Sequence, residues 1–140
     1  MTEISNIRWG WLRFMYIYTI IIAGLMGLGI VIVPEVVKNM IKVPIQEPIF
    51  FGIVGSVYLS FGLLSILGLR SPLKFVPVLL LQLCYKLIWL IGVILPLLIR
   101  GQFPKYALMS LIIFITYIIG DIIAIPFSYV FAKENETGRI

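Results

Sequence analysis

The chain contains no histidine and a single cysteine, Cys84. Without histidine there is no His-ligated haem, no Ser-His-Asp or Cys-His machinery and no zinc site of the usual kind. A lone cysteine cannot close an internal disulfide, so the redox compartment is not readable from the chain. Charge is scarce too: 12% of the 140 residues are Asp, Glu, Lys or Arg, about half of the roughly 25% that a soluble domain carries. No Gly-rich phosphate loop is present, which removes the common nucleotide-binding motifs. Acid–base and metal chemistry both lack members, so neither an enzymatic activity nor a cofactor is expected.

What abounds is apolar side chain, 61% of the residues, with a mean hydropathy of +1.13. A membrane span needs about 20 mostly apolar residues. Four runs qualify, at 14–33, 49–69, 75–99 and 107–131. Lipid offers no partner for backbone N–H and C=O groups, so these runs are expected to be helices. They are too long and too continuous for the alternating strands of a barrel. The first run is also too long for a signal-peptide core and is followed by no A-x-A-like site, so it is expected to be retained. Trp9 and Trp11 with Arg8 and Arg13 precede it as an interfacial anchor. The expected fold is therefore all-α: a four-helix transmembrane bundle, one integral membrane domain over residues 1–140, with the lipid bilayer as its partner.

The longest connection reads "PEVVKNMIKVPIQEP", 34–48. Val36, Val37, Met40 and Ile41 fall on one side of a helix, and Pro44 and Pro48 stop it. A short amphipathic helix on the membrane surface fits this pattern, and so does an ordinary structured loop. The other connections, 70–74 and 100–105, are tight and predict antiparallel neighbours. The tail "AKENETGRI", 132–140, is polar and expected to fray.

The net charge of +5 is read as loop charge meeting anionic headgroups, not as nucleic-acid binding. Arg8, Arg13, Arg70, Lys74, Lys133 and Arg139 lie at one end of the predicted bundle, and Lys38, Lys42, Arg100 and Lys105 at the other. The excess favours both termini on the cytoplasmic side.

Two ionisable residues lie deep inside the runs, Lys86 in the third and Asp121 in the fourth. Reflected through the turn between these runs, the two sit about 3 Å apart in depth at 1.5 Å of rise per residue. An unpaired charge mid-span costs about 2.5–3.5 kcal/mol on insertion scales. An ion pair between Lys86 and Asp121 is therefore expected. Gln82, Lys86, Trp89 and Val93 form a stripe on the third run; Ser110, Phe114, Tyr117, Asp121, Ala124 and Ser128 form one on the fourth. Gln82 and Tyr117 sit one turn from a charge and are expected to bond to it. Gly120 is expected to admit a neighbouring helix, as are Gly52, Ser56 and Ser60 on the second run and Ala23 and Gly27 on the first. Pro77, Pro96 and Pro126 are expected to kink the third and fourth runs. Tyr85 and Trp89 flank Lys86, and Cys84 faces away from it.

"GSVYLSFGLLSILGLRSPLKFVPVLLLQ", 55–82, resembles the DoxX-like superfamily of small bacterial four-helix membrane proteins. The points of likeness are a Gly/Leu-rich second run ending in Gly68-Leu69-Arg70, a third run directly after it, Arg13 entering the first run, and a longer first connection. The resemblance implies a four-span layout and, in some members, a role as the membrane subunit of a redox system. It implies no catalytic residue set.

Lys86 and Asp121 admit two readings. They are a structural lock between two helices, or part of a ligand cavity with Gln82, Tyr117, Trp89 and Tyr85. The functional expectation is a non-enzymatic membrane protein that binds a small amphipathic ligand or a partner subunit. The alternatives are a small-molecule transporter and a redox-system subunit. Oligomeric state is not legible.

Overall fold

The computed structural model describes residues 7–44 and 46–133. Within them the chain is all-helical, with four helices long and apolar enough to cross a membrane: α1 (Trp9–Ile32), α3 (Pro48–Arg70), α4 (Val76–Ile99) and α5 (Lys105–Ala124). A short helix, α2 (Pro34–Ile41), joins α1 to α3, and a single turn, α6 (Phe127–Val130), comes after α5. The expectation for the tail falls, from 134 on, outside the described residues, as does Arg139.

Prolines set the starts. Pro34, Pro48 and Pro77 stand in the first turns of α2, α3 and α4, where a missing N–H costs nothing. Pro77 therefore opens a helix and does not kink one. At α3 the Glu47 carboxylate accepts the N–H groups of Ile49 (3.0 Å) and Phe50 (2.9 Å), satisfying two orphan donors. Those two bonds hold the Glu47 carboxyl below its usual range. Pro126 also acts differently from expectation. It forces the residue before it toward extended backbone, and Ile125 adopts φ −70°, ψ 125°. The fourth long helix thus ends at Ala124 and does not bend on to Phe131. Its end is capped from α1: the Arg8 guanidinium donates to the Ile123 carbonyl at 2.9 Å, a cation at a helix C-terminus.

The amphipathic helix forms; of its apolar side Val37 is buried and Ile41 half-buried, while Val36 and Met40 are exposed. Lys38 ties α2 down: its ammonium bonds Glu35 (3.1 Å), reaches the Gln46 carbonyl (3.5 Å) and lies 5.4 Å from the centre of the Phe51 ring.

In the bundle α1 packs on both α3 and α5, and α4 packs on α5. The α1–α3 contact is close because glycines face each other. A Cβ on Gly27 would strike the Leu59 amide and the Gly55 carbonyl, and one on Gly62 would strike Gly24. Gly27 thus serves as expected, whereas Ala23 is buried and lines a cavity that opens beyond Lys86. Gly52, Ser56 and Ser60 do not: a Cβ on Gly52 meets nothing, and both serines face outward and bond back to their own helix at 2.8 Å. The packing face of α3 is instead Gly55, Gly62 and Gly68, the last against the Tyr16 ring. Gly120 admits the Met15 side chain of α1, as expected.

The buried core is lopsided. Leu12, Met15, Tyr16, Val76, Leu79, Leu83, Tyr117, Ile118 and Ala124 cluster in the half of the bundle that holds the chain termini. The Tyr16 hydroxyl donates to the Pro72 carbonyl at 2.6 Å there. The outward faces are apolar throughout, as a lipid-facing surface requires. Gly27→Ala is expected to lower stability by about 1–3 kcal/mol, since backbone and not a flexible side chain blocks the added methyl. Gly52→Ala should change it by less than about 0.5 kcal/mol. Equilibrium unfolding in mixed micelles compares the two, and equal effects would contradict the glycine contact.

Candidate functional site

The packed core ends at a layer of buried polar side chains: Thr19 on α1, Gln82 and Lys86 on α4, and Tyr117 and Asp121 on α5. Lys86 is 2% exposed and Asp121 0%. The two are within electrostatic reach of each other, so the depth match across the hairpin holds. The ion pair does not. Among the described residues the only ion pair is Lys38–Glu35, and neither Asp121 carboxylate oxygen has a hydrogen-bond partner.

The Lys86 ammonium goes elsewhere. It donates to the Tyr85 hydroxyl at 2.8 Å. It also lies 4.3 Å from the centre of the Tyr85 ring, 4.2 Å from that of Tyr117 and 5.0 Å from that of Phe114. Electron-rich ring faces attract a cation, more strongly when water is excluded. Three rings and one hydroxyl therefore hold the ammonium toward the Phe114–Tyr117 turn of α5, out of hydrogen-bond contact with Asp121. The rings brace one another: Tyr85 stacks on Phe61 at 5.6 Å, and Trp89 meets Phe114 edge-on at 4.8 Å.

Gln82 and Tyr117 do not bond to the charges as expected. Thr19 gives its one hydroxyl proton to the Met15 carbonyl at 2.7 Å, and the Gln82 side-chain oxygen lies 3.4 Å from the same hydroxyl. The Tyr117 hydroxyl has no hydrogen-bond partner.

Beyond Lys86, in the half of the bundle away from the termini, a cavity of about 380 Å³ opens. Lys86, Tyr85 and Tyr117 form its floor. Met26, Ile30, Val54, Trp89, Ile113 and Phe114 are among its walls, and Ile41, Val43, Gln46 and Tyr106 lie around its mouth. Of the expected ligand residues, Lys86, Tyr85, Trp89 and Tyr117 line it; Gln82 and Asp121 do not. Val93, Cys84 and Ser128 are exposed, all three away from the cavity lining. Two turns of wider, π-type helix stand beside the cavity, Ile20–Gly24 in α1 and Leu90–Ile94 in α4. Such insertions re-aim the residues around them. In α4 the Leu95 N–H reaches back to the Leu90 carbonyl, just before Pro96.

Sequence reasoning missed Thr19, and with it the contribution of α1 to the polar layer. A lone threonine in "YIYTIII" was the available signal. It also missed the loop residues Val43 and Gln46 at the mouth, for which no local signal exists.

No protein-family model matches this chain, and neither a curated protein nor a solved structure matches it. The resemblance to the DoxX-like superfamily is thereby neither supported nor contradicted. The class reached is the coarser one: an all-helical chain whose four apolar helices are consistent with an integral membrane protein.

Tyr85→Phe removes the one hydrogen bond to the buried ammonium and leaves the ring. A loss of about 1–3 kcal/mol is expected, read by unfolding in mixed micelles. Unchanged stability would mean that the rings alone hold Lys86.

Proposed function

We propose that this chain is a non-enzymatic integral membrane protein that holds a small amphipathic molecule in the cavity floored by Lys86. The observation that carries this is the lining: apolar and aromatic walls with, among the described residues, a single charged side chain at the closed end. That is the ordinary composition of a ligand pocket, and about 380 Å³ falls within the range of roughly 300–1,000 Å³ for such pockets. Lys86 faces the cavity while Asp121 does not, so an acid–base pair acting on a bound molecule is not assembled there. In this reading the protein lies in a bacterial inner membrane with both termini cytoplasmic. The support is the greater number of basic residues at the terminal end of the bundle, Arg8, Arg13, Arg70, Lys74 and Lys133 among them.

The test is gentle extraction, then mass spectrometry of retained small molecules. Wild type is expected to keep an amphipathic molecule. Met26→Trp, which fills the wall with a larger side chain, is expected to keep much less. A wild-type protein that retains nothing above the bulk lipid background, or a Met26→Trp protein that retains as much, would count against the proposal.

A further inference from the structure

We infer that the cavity takes a single-chain amphiphile with a carboxylate head, its carboxylate on Lys86 and Tyr85 and its tail along the wall toward α2. This rests on the cavity-binding reading above and specifies the ligand class.

Charge comes first. Lys86 is the one charged residue among the described residues lining the cavity, so it matches one negative charge and leaves a dianionic phosphate monoester uncompensated. Hydrogen-bond capacity comes second. An ammonium has three N–H donors, and one of those on Lys86 goes to the Tyr85 hydroxyl. Two remain, suited to a group with two acceptor oxygens. Because Tyr85 accepts from Lys86, its own O–H proton is free to donate as well. Charge-assisted bonds of both kinds are the strong ones.

Preorganisation comes third. The rings of Tyr85, Phe114 and Tyr117 hold the ammonium at the cavity floor, so binding does not have to order it. Size comes fourth. A cavity of about 380 Å³ is near the lower end of the ligand-pocket range, which suits one acyl chain and not a two-chain lipid. Met26, Ile30, Val54 and Ile113 give that chain an apolar path from Lys86 to the mouth. Asp121 does not line the cavity and accepts no hydrogen bond from Lys86, so it does not compete with a bound carboxylate for the ammonium's donors.

The experiment uses Trp89, which lines the cavity, as reporter. Trp9→Phe and Trp11→Phe leave it as the one tryptophan of the chain. The protein is placed in nanodiscs of phosphatidylcholine and titrated with a dibrominated long-chain fatty acid or with the corresponding alcohol. Saturable quenching is expected with the acid, at an affinity about tenfold or more above that of the alcohol. Lys86→Met should abolish that preference. Tyr85→Phe, which removes the second head-group donor, should weaken the acid about threefold or more. Equal affinities for acid and alcohol in the wild-type background would overturn the head-group inference and leave the cavity reading standing. No saturable quenching by either molecule would overturn both. If Lys86→Met does not fold, Tyr85→Phe decides: an acid affinity that stays the same overturns the inference.

Discussion

The rest of this structure depends on how one buried ammonium is satisfied. Lys86 is closed off from solvent in a bundle whose outward faces are apolar. An ammonium there must be compensated locally or the helix is expelled from the membrane interior. The compensation found is aromatic: three ring faces and one phenolic hydroxyl. Because rings are bulky and directional, they also determine shape. Tyr85, Phe114 and Tyr117 gather between α4 and α5, and the packed core stops at that layer. On one side lie Leu79, Leu83 and Met15; on the other lies the cavity.

Backbone features make this possible. The glycine contact of Gly24 and Gly27 with Gly55 and Gly62 brings α1 and α3 nearly to backbone contact, so the bundle is closed on that side by van der Waals packing, the main attraction available between helices in lipid. The room is gained on the other side. Each π-type turn, in α1 and in α4, rotates the helix on its C-terminal side relative to the helix on its N-terminal side; Ile22 and Ala23 of the first line the cavity, and the second follows directly on Trp89, which also lines it. A bundle pinned tightly along one helix pair and widened along another has a cavity at a defined place, and α2, tied down by Lys38 and Val37, borders its mouth.

Much of this was legible in the sequence. Long apolar runs bounded by proline and by short polar connections specify four helices and their order, because lipid leaves the backbone no other choice. The role of Gly120 was legible because a glycine beside a buried charge has few other uses. The small-residue stripe of α3 was misread: Gly52, Ser56 and Ser60 have the right spacing, but Gly55 and Gly62 lie one face away, and spacing alone does not say which face meets α1. Pro126 was misread because a proline near a span's end stops it as readily as it bends it. The ion pair was misread for a deeper reason. Depth along a hairpin follows from residue counting, whereas the direction of a long side chain follows from what else lies within its reach. Two tyrosines and a phenylalanine lay within reach of Lys86, and no count of residues weighs an aromatic face against a carboxylate.

Asp121 shows what the polar layer does. A lock between α4 and α5 would need its oxygens engaged by donors from α4, and neither oxygen accepts a hydrogen bond from the protein. Its backbone does engage, accepting the Ile125 N–H at 2.8 Å where the helix ends. The side chain therefore makes no contact that ties α4 to α5. Lys86 is turned toward the cavity, and Asp121 occupies none of its donors. A contact ion pair would have consumed those donors and closed the site. Because Asp121 stands off, the N–H groups of Lys86 that Tyr85 does not take are left for the cavity.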